Sequence, residues 1–189
     1  LGTVAALGLS RRNMPFKGTI MAILISPMIV PLIITSAGMF FFYSKIGLTH
    51  TYLGLILAHT ALGTPFVVIT VTATLTGFDT NLIRASQSLG ADTMRTFFKV
   101  IMPLILPGVI SGALFAFITS FDEVVVVMFV GSVEQITIPK QMWAGLRQET
   151  SPVILCMATC LVFLSIALLT TVELLRRRSE RLRGIKLRN

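Results

Sequence analysis

The fold class this sequence predicts is an all-α polytopic membrane protein, and three observations predict it. Of the 189 residues, 54% are hydrophobic and only 13% are charged, which is too apolar for an ordinary soluble domain. Charge-free stretches run over 18–44, 46–78, 100–121 and 150–172. Each is longer than the ~18 apolar residues that argue for a membrane-spanning helix. Lys and Arg also collect in alternate loops, as charge does in a chain threaded through a bilayer. The formal net charge of +8 would point to nucleic acid in a soluble protein, but here its placement assigns it to orientation.

The elements follow in order. "LGTVAALGLSRR" reads as the last part of a span, 1–10, so the fold is expected to be N-terminally incomplete. It lacks the charged n-region of a signal peptide. A basic loop with Arg11, Arg12 and Lys17 leads to a span at about 19–43, which Pro27 and Pro31 should kink. Lys45 is alone in the next loop, where Tyr43 and Tyr52 suit a membrane interface. A span at 52–76 carries Pro65. A loop at 77–103 carries Arg84, Arg95 and Lys99. A span follows at 104–130. The loop 131–151 holds Lys140, Arg147 and Trp143, with "IPKQMWAGLRQ" as a short helix. Ser151 and Pro152 then suit the cap and first position of a span at 152–174. Cys156 and Cys160 lie inside that span as small apolar packing residues. The tail 175–189 is strongly basic. Thirteen of the sixteen Lys and Arg fall in the first and third loops and the tail, which places those segments and the C-terminus in the cytoplasm.

The loop 77–103 is more than a connector. Asp79, Thr80 or Asn81 can cap a short helix with Leu82, Ala85 and Leu89 on one stripe, which Gly90 then ends. Asp92 or Thr93 can cap a second helix, where Met94, Phe97, Phe98 and Ile101 recur at helical spacing and Arg95 and Lys99 share another face. Joining two spans needs only a few polar residues. By pattern alone, this folded pair is either a docking surface for a cytoplasmic partner or an interfacial pair lying in the headgroups.

"RASQSLGADTMRTFFKVIMPLILPGVISG" resembles the EAA loop of permease subunits in binding-protein-dependent ABC importers. Ala85, Gly90, Ala91, Phe97, Phe98, Pro103 and Leu104 match the pattern, whereas Arg84 stands where Glu is usual and Ser86 where Ala is. The span order and "SFDEVVVVMFV" fit as well, and the second permease of spermidine/putrescine-type importers is the nearest match. The resemblance implies a type I importer permease fold in a bacterial inner membrane. It implies that Arg84, Ala85, Ser86, Leu89, Gly90, Ala91, Asp92 and Phe97 couple the spans to an ATPase. The implied partners are a second permease, two ATPase subunits holding ATP and Mg, and a periplasmic or tethered substrate-binding protein. The loop 131–151 is then either a contact for that protein or an anchor through Trp143.

Asp122 and Glu123 interrupt the span at 104–130. Buried carboxylates are costly in a bilayer and should face protein or a water-filled cavity. Gly108, Ser111, Phe115, Thr119 and Asp122 fall near one stripe, with Ser120 and Glu123 beside it, as in a helix seam or the wall of a pathway. Thr119, Ser120, Asp122 and Glu123 are therefore candidates for the path of a small cationic solute such as a polyamine. Bonding to partner helices, or a place at the external interface, would also explain the pair. His50 and His59 lack a nearby carboxylate or thiol that would complete a metal site, and structural hydrogen bonds are expected of them. No G-x-x-x-x-G-K-[ST], H-E-x-x-H, C-x-x-C or G-x-S-x-G occurs, so neither nucleotide binding through that loop nor an enzyme signature is present. A competing class is a self-sufficient channel or secondary transporter that uses the acidic pair.

Overall fold

The computed structural model describes residues 1–11, 14–148 and 152–182, and no strand occurs among them. Arg12, Ser151 and the end of the basic tail lie outside the described residues. Ten α-helices follow one another: α1 (Gly2–Leu9), α2 (Lys17–Ile29), α3 (Leu32–Ile46), α4 (Tyr52–Thr76), α5 (Asn81–Ser88), α6 (Thr93–Thr96), α7 (Met102–Phe121), α8 (Val125–Val130), α9 (Ile138–Gln148) and α10 (Pro152–Leu182). A π turn, Phe97–Ile101, joins α6 to α7 without a break.

Two expected spans are drawn differently. The stretch expected at 19–43 is two helices meeting at 107°, not one kinked helix. Pro31 supplies no N–H, Val30 is extended, and α3 restarts with the N–H groups of Ile34 and Thr35 bonded to the Pro31 carbonyl. Only together do α2 and α3 make a candidate crossing, beside Tyr52–Thr76, Thr93–Phe121 and Pro152–Thr171. The span expected at 104–130 begins earlier and stops at Phe121. The π turn sits just before Pro103, which cannot donate to the carbonyl of Lys99 as an α-helix requires.

The centre of the fold is a seam between α4 and α7, made close by small residues. Gly108, Gly112 and Ala116 recur every four residues on α7. A Cβ on Gly112 would stand 2.7 Å from the Val67 Cα, and one on Gly108 would overlap the Thr74 hydroxyl. From the other side, a Cβ on Gly63 would lie 2.9 Å from that of Ala116. With no hydrophobic drive between helices in lipid, such backbone approach provides the dispersion contact that holds them. Near one end of α4 the seam continues into Ala6, Val71 and Ile105, which brings α1 into the packing. About 20 Å along α4, Ala58 and Leu62 meet Tyr43, Val126 and Val130. The backbone of His50 closes that end by donating to Val130 O at 2.8 Å, while its Nδ1 lies 3.1 Å from Gly131 O. α10 packs only lightly, against α7 and α9, and no residue of its apolar window is buried within the chain.

Candidate functional site

The segment between α4 and α7 folds into a compact helical corner. Asp79 Oδ1 accepts from Asn81 N at 2.9 Å and opens α5; Asp92 Oδ1 accepts from Arg95 N at 2.6 Å and opens α6. Between them Gly90 adopts φ +81°, and the N–H groups of Gly90 and Ala91 close the end of α5 on the carbonyls of Gln87 and Ser86. The Ser86 hydroxyl meets that of Thr96 at 2.9 Å, with Thr96 only 2% exposed, so the two helices are pinned where they cross. Only Ile83 and Ser86 of α5 are half-buried. Arg84 and Ala85 are exposed, as are Leu82 and, beyond the last turn, Leu89 at 88%. Ala91 and Phe97 are half-buried and Asp92 is exposed. The expected apolar stripe Met94–Phe97–Phe98–Ile101 is split by the π turn: Met94 and Phe98 are exposed while Phe97 and Ile101 turn inward.

Where α7 ends, three of the four residues expected along a solute path share one cavity and the fourth lies in another. Asp122 is exposed and Glu123 is 6% exposed. Both Glu123 carboxylate oxygens accept from Val126 N, at 2.8 and 3.0 Å, and one also accepts from Val127 N at 3.3 Å. Bonding to the first turn of α8 takes up the carboxylate and breaks the span there. Thr119, Asp122 and Glu123 line a cavity of 830 Å³ bounded by the α2–α3 break, Phe66 and Trp143. Ser120 faces the other way. Its Oγ lies 2.9 Å from His59 Nδ1, within a larger cavity of 920 Å³ between α1, α4, α7 and the segment 134–137. Both histidines are thus engaged in hydrogen bonds, and no group of three metal-ligating side chains occurs among the described residues.

Residues 1–182 match the family described as the binding-protein-dependent transport system inner membrane component. The chain belongs to that family. It is 30% identical over 180 residues to the spermidine/putrescine transport system permease protein PotC of Haemophilus influenzae, covering 95% of this chain and 70% of that protein. The PotC of Escherichia coli K12 is 29% identical over 94% of this chain and 67% of its own length. The putrescine transport system permease protein PotI of the same organism is 29% identical over 86% of this chain and 60% of its own. A chain of the MetNI methionine ABC transporter in an inward-facing conformation superposes with a TM-score of 0.74, over 95% of this chain and 86% of that one at 22% identity. The fold is that of a type I ABC importer permease. Such a permease is a membrane subunit and not an enzyme; ATP is hydrolysed on separate subunits.

Within this permease fold, sequence reasoning passed over Glu134, Thr60 and Thr64, which line the larger cavity. Their signal is faint: one acidic residue in a loop expected to be either a binding-protein contact or an anchor through Trp143, and two threonines a helical turn apart in a span. Tyr52 and Trp143, which suit a membrane interface, each also line one of these cavities.

Proposed function

We infer that this permease forms half of the translocation path of an ATP-driven importer for a polyamine, working with a second permease, two ATPase subunits and an external binding protein. Support for the solute comes from the names of its relatives, PotC and PotI. The loops at the α5 end and the C-terminus lie in the cytoplasm on this reading, as the positive-inside pattern asks. α5 is the coupling helix. It seats on a separate ATPase, and closure of the ATPase pair reaches the spans through the Ser86–Thr96 contact and the continuous α6–π–α7 rod.

The observation that carries the coupling role is the turn at Gly90. A positive φ of 81° there ends α5 and leaves Leu89 and the outer face of α5 without an internal partner. A left-handed position costs a residue with a Cβ about 1–2 kcal/mol, and no atom lies within 4 Å of where that Cβ would be. Gly90→Leu therefore strains the turn without a clash in the bundle. In the assembled transporter, binding-protein-stimulated ATPase activity should fall several-fold or more in Gly90→Leu, with insertion and subunit assembly intact. Unchanged ATPase activity and transport would reduce this corner to an interfacial connector.

A further inference from the structure

The 920 Å³ cavity has a chemical character that no part of the coupling argument uses. Along α4, the Thr60 hydroxyl donates to Ile56 O at 2.6 Å and the Thr64 hydroxyl to Thr60 O at 2.6 Å. With those protons committed, both oxygens can only accept. At the cavity edge Glu134 is exposed, and its carboxylate has no ion-pair or hydrogen-bond partner among the described residues. The nearby Lys140 forms no ion pair with it. Lys140 Nζ donates to Ser132 O at 2.9 Å and to Gln135 O at 3.2 Å.

The turn that carries Glu134 is held firmly. Gln135 is 7% exposed, its Oε1 accepts from Ser132 N at 2.9 Å, and its own N–H donates to Ser132 Oγ at 3.2 Å. Ile136 N reaches back to Glu134 O at 3.1 Å. So a carboxylate with no ion pair stands on a rigid turn and lines the same cavity as hydroxyls that only accept and as Tyr52. Donor-only, positively charged groups fit that set, and an aromatic face adds to it. A carboxylic acid or phosphate does not fit.

We propose that this cavity is a transport subsite for one ammonium group of a linear alkyl-diammonium solute, with Glu134 as its charge partner and the Thr60 and Thr64 oxygens as its acceptors. The assignment rests on the polyamine reading given above and locates it in a cavity separate from Asp122. One carboxylate balances one ammonium, so the second charge of the solute is met elsewhere along the path.

The test uses the assembled permease–ATPase complex in nanodiscs without the binding protein, with equilibrium binding of radiolabelled putrescine as the readout. A second readout is putrescine uptake in proteoliposomes with the binding protein added. The Glu134 side chain makes no internal bond, so Glu134→Gln should assemble as the parent does. Its putrescine affinity should fall about tenfold, the cost of a lost charge-assisted hydrogen bond, and Glu134→Asp should recover most of it. Thr60→Val and Thr64→Val, which keep shape and remove the acceptor, should each weaken binding by a smaller factor. If the parent imports putrescine and Glu134→Gln binds it unchanged, the subsite is wrong and the polyamine reading stands. If the parent imports no putrescine, the polyamine reading falls and takes the subsite with it.

Discussion

Glu123 shows how one side chain decides the course of a span. Its two oxygens take the N–H groups of Val126 and Val127, which would otherwise be unpaired at the start of α8 among apolar neighbours. Glu123→Ala should therefore destabilise the permease by about 1–3 kcal/mol, since it strands buried donors. Glu123→Gln keeps one acceptor and should cost less. Thermal unfolding in detergent, followed by far-UV circular dichroism, separates the two; equal midpoints for Glu123→Ala and the parent would refute the capping role. Asp122, one residue earlier and exposed, has no such duty and remains free to face a solute in the 830 Å³ cavity.

Among the elements, the α4–α7 pair is the most sensitive to added bulk. Gly112→Leu must push apart two helices, because even its Cβ would stand 2.7 Å from the Val67 Cα and 3.3 Å from the Phe66 carbonyl oxygen, and overpacking of this kind costs about 1–3 kcal/mol or more. Gly38, in α3, has nothing within 4 Å of its would-be Cβ, so Gly38→Ala should leave stability near that of the parent. Yield of monodisperse protein after detergent extraction, with the unfolding midpoint, reads both. If Gly112→Leu matched Gly38→Ala, the seam would not be the close contact described. The broken α2–α3 element was half legible: Pro27 and Pro31 announced a bend, but its 107° angle depends on what α2 and α3 pack against, and no local pattern records that.

For the whole molecule, sidedness is the property that binds the parts into a transporter. Leu89 and Val133 are among the most exposed side chains, at 88% and 90%, and the orientation proposed above puts them on opposite faces of the membrane. Single cysteines at these positions, in a background where Cys156 and Cys160 are replaced by alanine, should react selectively with an impermeant maleimide. Val133→Cys should label from outside in sealed spheroplasts. Leu89→Cys should label only in inverted vesicles. The reverse pattern would overturn the orientation and, with it, ATPase docking on α5. In the parent, Cys156 and Cys160 lie on the exposed apolar face of α10, so a lipid-soluble maleimide should reach them and a charged one should not.

The sequence by itself determined that this chain is helical and crosses a membrane, because apolar runs of about 20 residues match a spanning helix, whereas a barrel strand needs only about half that length. It also determined the corner at Gly90, because a glycine between two capped amphipathic segments is a local signal: φ at Gly90 and the cap at Asp92 depend on neighbours a few residues away. Tertiary structure alone decided the roles of the polar residues in the spans. Thr119, Ser120, Asp122 and Glu123 are close in sequence, yet Ser120 bonds His59 in one cavity while the other three line another, where Glu123 also caps α8. Helix rotation about the Gly108–Gly112–Ala116 seam sets those directions, and that rotation is fixed by how closely two backbones can approach. Glu134 belongs to the same class. Nothing in its own loop marks it, and it becomes a candidate for cation binding only because folding carries it to the rim of a cavity walled by α4 and α7.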